Sequence, residues 1–157
     1  MKKSLVILTV LALSLLFSQN IFAQADQTVH FEVKPVAKIS VSGDVYLAVI
    51  TGIAGTPGLT DSIEHSSTYS ITHNAESKKI TAKLNSAMPS NTTLSVELAS
   101  TNGTSSNKVL LTASDNNVVT GISKCAETSM ITYTFHADVS AGILTSDSRT
   151  VTFTLTD

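Results

Sequence analysis

The chain has 157 residues, a formal net charge of −2 and few charged residues, with one cysteine and no tryptophan. This length accommodates one domain with a single core, and the mildly acidic balance argues against nucleic acid as a partner. Because Cys125 is the only cysteine, the chain forms no internal disulfide. We interpret Cys125 as a small apolar side chain, with an intermolecular disulfide or a reactive thiol as the alternative.

The first 25 residues have the pattern of a secretory signal peptide. Two lysines precede an apolar run from Leu5 to Phe17, and Ala23-Gln24-Ala25 follows as a small-residue cleavage site. The run has about 13 residues, against the roughly 20 that cross a bilayer, and no equally long run follows it. The sequence therefore predicts removal of residues 1–25, with a cut after Ala23 as the alternative. We expect residues 26–157 to form a single domain that is secreted, periplasmic or on the cell surface, without an integral membrane segment.

Along most of the chain downstream of this leader, apolar and polar residues alternate at a period of two, the pattern of half-buried strands, while Val45–Ile50 is a continuous apolar run. In chain order the predicted strands are Val29–Val33, Ala37–Val41, Val45–Ile50, Ser67–His73, Ile80–Leu84, Leu94–Leu98, Lys108–Ala113, Val118–Ile122, Ile131–Val139 and Val151–Leu155. Clusters of glycine, proline, asparagine and serine separate them, and no segment has a helical period. The sequence predicts an all-β domain, an antiparallel immunoglobulin-like sandwich of about 7–10 short strands, with a β-barrel as the alternative.

The residues that carry chemistry show no grouping of the kind that catalysis or metal binding requires. The four histidines have no metal-ligand spacing, and we expect them to be exposed to solvent; they are His30, His65, His73 and His136. A Ser-x-x-Lys spacing begins at Ser105, but the motifs that accompany it in serine hydrolases are missing. We therefore expect no catalytic, cofactor-binding or metal-binding residues, and no enzymatic activity.

The segment from Thr68 to Leu84 resembles a hairpin of the major fimbrial subunits of the chaperone–usher class, in particular the type without a subunit disulfide. It consists of a Tyr-x-Ile-x-x-Asn strand, a short polar turn and a Lys-Lys-Ile-x-Ala-x-Leu strand. The whole layout is also similar to small exported bacterial β proteins of unknown role. The fimbrial resemblance implies an incomplete sandwich that is completed by a strand from the N-terminal segment of the next subunit.

Val29, Phe31 and Val33 fit such a donated self-assembly strand, and they equally fit the first strand of a self-complete sandwich. We expect an exported, non-enzymatic structural or surface-assembly protein, a fimbrial-like or extracellular matrix subunit. Its partners are then further copies, through strand addition, or another exported protein. The alternative is a secreted or periplasmic binding module for a glycan or a protein.

Overall fold

The chain is all-β in a computed structural model, which describes residues 23–157. Its nine strands are β1 (Ala37–Val41), β2 (Ser62–His73), β3 (Lys78–Leu84), β4 (Thr92–Leu98), β5 (Thr104–Ser105), β6 (Val109–Leu110), β7 (Asn116–Ile122), β8 (Cys125–Ala137) and β9 (Val151–Thr156). One short 3₁₀ helix spans Val139–Ala141, and the described residues contain no α-helix. Within that part of the chain, no helix has the length and apolar character to cross a membrane.

The strands form two antiparallel sheets. The first has the order β1-β2-β8-β4-β6 and the second the order β5-β7-β3-β9. The connections from β2 to β3 and from β8 to β9 each pass from the first sheet to the second. All nine strands belong to the compact unit Lys34–Asp157. Two apolar sheet faces within that unit therefore share one core.

The core is built from the inward-facing residues of the alternating strands. Cross-strand neighbours share a face, so pairs such as Val96 with Tyr133 and Leu98 with Ile131 present apolar side chains together. The largest fully buried side chains come from both sheets and are Tyr69, Ile71, Ile80, Leu84, Val96, Leu98, Val118, Val119, Ile122 and Ile131. The structure thus confirms the all-β prediction made from the period-two alternation, since two antiparallel sheets bury their apolar faces in one core.

Three predicted strands differ in the structure. Residues 29–33 and Val45–Ile50 are not in strands, and the predicted strand Lys108–Ala113 is reduced to the two residues of β6. Alternation reports that a segment can present one apolar face, but a strand also needs a neighbouring chain for its main-chain hydrogen bonds. The described part of the chain gives the first two segments no such ladder.

β2 and β8 are longer than predicted, at 12 and 13 residues. The added residues of both strands extend the ladder between them, which runs from Ser62 with Phe135 to His73 with Cys125. A bulge between Glu64 and Ser67 shifts the register along the way. Val139, which the alternation placed on the core face of the predicted strand Ile131–Val139, lies in the 3₁₀ helix and is 57% exposed.

Candidate functional site

One side of the two-sheet structure is left without a covering strand. β1 pairs only with β2 and β9 pairs only with β3, among the residues that the structure describes. Cα atoms of these two edge strands approach within 8 Å, so the two edges lie beside each other. An edge strand presents a row of unpaired N–H and C=O groups that can hydrogen-bond an added strand.

The inner face is incompletely covered along this side. On β3, Ile80, Ala82 and Leu84 are at most 2% exposed, but their cross-strand partners on β9 are only partly buried. These partners are Leu155, Phe153 and Val151, and Ile39 on β1 is likewise partly buried. Since paired residues share a face, the difference shows that the core-facing side of β9 lacks neighbours that β3 has.

A stretch with the burial pattern of a strand lies in the long connection between β1 and β2. In Val45–Ile50 the half-buried residues alternate with exposed ones, and Val45 and Leu47 pack against the core. Tyr46 and Ile50 point outward, at 87% and 86% exposure. Of the hydrogen bonds within the described chain, these six residues make one, from the Ala48 N–H to Ser62 Oγ at 3.1 Å. The stretch therefore has a strand's side-chain pattern without a strand's pairing.

Ser62 and Glu64 lie on the inner face, because they pair with Phe135 and Tyr133, and Ser62 contacts the Val45–Ile50 stretch at Ala48. Glu64 Oε1 accepts a hydrogen bond from the Ser66 N–H at 2.6 Å, and hydrogen bonds from Ser66 lower the pKa of this carboxyl. Glu64 Oε2 is buried and has no partner in the described part of the structure. An acceptor in this state is suited to a donor from an added chain.

The predicted self-assembly residues lie in the described segment that precedes the compact unit. Val29, Phe31 and Val33 are 70%, 92% and 83% exposed and do not belong to a strand. Among the described residues this segment does not pair as a first strand, and its role in assembly stays a prediction. Exposing three alternating apolar side chains is unfavourable in water, by roughly 1.5–3 kcal/mol for each large side chain.

A buried carboxylate near the start of β8 holds the loop that follows β4. Glu127 is 8% exposed and accepts hydrogen bonds from Thr101 N–H at 2.9 Å, Asn102 Nδ2 at 2.9 Å and Ser129 Oγ at 2.7 Å. Burial raises the pKa of Glu127, but these hydrogen bonds outweigh burial and hold the pKa below its usual range. The sequence pattern missed Glu127, because two of its donors, Thr101 and Asn102, lie 26 and 25 residues away in the chain.

Cys125 and His73 face each other at the last pair between β2 and β8. Cys125 Sγ lies 3.6 Å from His73 Nε2, and His73 Nδ1 contacts the Ala75 carbonyl oxygen at 2.9 Å. Only a protonated Nδ1 can donate to a carbonyl, so the neutral ring presents Nε2 to the thiol as an acceptor. Burial, and secondarily the charge of Glu127, raises the pKa of the Cys125 thiol. A raised thiol pKa disfavours the nucleophilic thiolate.

The prediction of exposed histidines is wrong for His73, which is 4% exposed. The structure satisfies its ring with a turn carbonyl and a thiol, and neither partner has a sequence signature. His30 and His65 are exposed, and His136 Nδ1 contacts Asp61 Oδ1 at 2.7 Å on the surface. No three histidine, cysteine or carboxylate side chains within residues 23–157 are placed to hold a metal ion together.

A shallow apolar depression lies at the other edge of the first sheet. It encloses about 250 Å³ and is lined by Ala87, Met88, Leu110, Leu111 and Ala113 with three threonines. No ionisable side chain lines it.

Comparison with known proteins gives no further guide, since neither a protein-family model nor a curated protein matches the chain.

Proposed function

We propose that the chain is an exported structural subunit that assembles by strand addition, a fimbrial-like or matrix protein without enzymatic activity. The observation that carries the proposal is the side formed by β1 and β9, where both edges are unpaired within the described chain and the apolar inner face is only partly covered. The exposed alternation at Val29, Phe31 and Val33 supplies a strand of matching character. Export rests on the signal-peptide pattern of residues 1–25.

The strand order supports an immunoglobulin-like sandwich that lacks its last strand. In that fold one sheet has the order A-B-E-D and the other contains C, F and G, with G beside F. The neighbours β1-β2-β8-β4 correspond to the first sheet, and β9 beside β3 corresponds to F beside C. The position of G is then the outer edge of β9. β5 and β7 depart from the standard order. In the chain they lie between β4 and β8, which correspond to D and E, and both belong to the second sheet.

Under this proposal the segment around Phe31 of one copy adds to β9 of the next copy. Main-chain hydrogen bonds along β9 supply affinity, and the three alternating apolar side chains cover Val151, Phe153 and Leu155. The polar residues of the donated strand, including His30, then face solvent. Each copy donates one segment and accepts one, so the contact is head-to-tail and propagates into a fibre.

The test is the assembly state of the mature chain, measured by light scattering and by gel electrophoresis of unheated samples. Wild type is expected to give a ladder that collapses on heating, and deletion of residues 28–33 is expected to give only monomers. Phe31→Ser should weaken the ladder, whereas His30→Ser, a change on the other face of the same segment, should preserve it. A wild-type chain that stays monomeric at all concentrations would overturn the proposal.

A second candidate function, a binding module for a glycan or an exported protein, is favoured by one observation. Tyr46 is 87% exposed, Ile50 and Ile53 a few residues along the chain are also exposed, and exposed aromatic rings are common platforms for sugars. Screening the monomeric deletion variant against immobilised glycans tests this function. Binding that Tyr46→Ala abolishes would support it.

A further inference from the structure

The side chain of Asn74 clamps the main chain just before β1. Its Oδ1 accepts a hydrogen bond from the Val36 N–H at 2.7 Å, and its Nδ2 donates to the Lys34 carbonyl oxygen at 2.9 Å. The Asn74 N–H also donates to the Val36 carbonyl oxygen at 3.2 Å. One residue in the turn after β2 therefore holds both sides of Pro35.

This geometry requires an extended backbone at Pro35. In an extended chain, the carbonyl before a residue and the N–H after it point to the same side, where an antiparallel neighbour would pair with them. The carboxamide of Asn74 has an acceptor and donors, so it replaces that neighbour. Pro35 lacks an N–H and its restricted φ suits extended structure, so it tolerates this position.

The clamp opposes a fold-back that the sequence otherwise favours. Val29–Val33 and β1 are separated by Lys34, Pro35 and Val36, and three residues are a common length for a hairpin loop. In such a hairpin Phe31 would lie opposite Ile39, and the free edge of β1 would be covered by its own chain. A hairpin loop must reverse the chain at residues 34–36, which the extended conformation held by Asn74 does not permit.

We propose that Asn74 is a positioning residue that blocks this hairpin and so keeps Val29–Val33 available to a second copy. The inference rests on the proposed strand addition and deepens it, because it explains how one chain avoids closing its own open side. A single side chain then sets the balance between closure within a chain and assembly between chains.

The experiment measures closure directly, in monomers, with an engineered cysteine pair. In the hairpin His30 would lie opposite Ser40, and both residues are exposed in the structure. The full mature chain carries His30→Cys, Ser40→Cys and Cys125→Ser, and it is equilibrated with oxidised and reduced glutathione at low concentration. The fraction with an intrachain disulfide is read by mass spectrometry.

Asn74→Ala is expected to raise the intrachain disulfide roughly threefold to tenfold, the range set by the loss of one or two hydrogen bonds. It should also shorten the assembly ladder of the chain without the engineered pair. Asn85→Ala is the matched control, because Asn85 Oδ1 likewise accepts a main-chain hydrogen bond, from Thr150. It should change neither measurement.

Asn74→Asp provides a second variant if Asn74→Ala does not fold, since aspartate keeps the acceptor for the Val36 N–H and loses the donor to Lys34. It should raise the disulfide fraction less than alanine. An unchanged disulfide fraction in a folded Asn74 variant would overturn the inference. Because this readout uses monomers, it is separate from the ladder, whose absence in wild type would instead overturn the proposed assembly.

Discussion

Glu127 Oε1 accepts a hydrogen bond from the Thr101 N–H at 2.9 Å, which ties the loop after β4 to the start of β8. Glu127→Ala should lower the free energy of unfolding by at least about 2 kcal/mol, because it leaves buried donors without a partner. Chemical denaturation measures the loss. Glu97→Gln is the control, since Glu97 is exposed on β4 and should cost less than about 0.5 kcal/mol. Equal effects of the two variants would contradict the role assigned to Glu127.

The same carboxylate should make stability depend on pH. Its pKa in the folded chain lies below the ordinary value of 4.5, so the folded state binds this proton more weakly than the unfolded state. The stabilisation is therefore complete above pH 4.5 and is lost as the pH falls through the folded pKa. The difference in unfolding free energy between wild type and Glu127→Gln should shrink as the pH falls below about 4.5 and through the folded pKa. A constant difference would contradict this linkage.

Gly103 should resist substitution because its neighbours leave no room for a side chain. A Cβ built there would lie 2.9 Å from Val119 Cγ1, 2.9 Å from Ile122 Cγ1 and 3.0 Å from the Thr120 carbonyl oxygen. We expect Gly103→Ala to destabilise the chain by about 1–3 kcal/mol. At Gly43 a Cβ meets nothing within 4 Å, so Gly43→Ala should be neutral or slightly stabilising. Thermal unfolding of the two variants provides the comparison.

Cys125 should react slowly with thiol reagents in the folded chain. Burial raises its thiol pKa, so at about pH 8 the reaction with a disulfide reagent should be several-fold slower than that of a small free thiol. Denaturant should remove the difference. A folded chain that reacts as fast as a free thiol would favour the alternative interpretation of Cys125 as a reactive group.

Much of the sheet structure follows from sequence where alternation coincides with pairing. β3, β4 and β9 lie close to their predicted positions, because their apolar residues occur at every second position and both sheets need one buried face. Val45–Ile50, a continuous apolar run, belongs to no ladder within the described residues. The difference is tertiary, since pairing depends on which chain lies beside a segment, and sequence patterns do not report that.

The site residues also divide into those that a local sequence pattern finds and those that depend on distant partners. The sequence singled out Val29, Phe31 and Val33 from their alternation, and the structure places them in solvent. Asn74, Glu127 and His73 act through partners that lie 25 or more residues away or on a turn carbonyl. No local sequence pattern predicts such contacts, so these residues are identified only from the folded structure.

The most direct test of strand addition separates donor from acceptor. A chain beginning at Lys34, which retains the whole compact unit, is mixed with a synthetic peptide of residues 26–36 and examined by native mass spectrometry and thermal unfolding. We expect a one-to-one complex with a raised Tm, and a weaker complex when the peptide carries Phe31→Ser. No complex and an unchanged Tm at saturating peptide would contradict it.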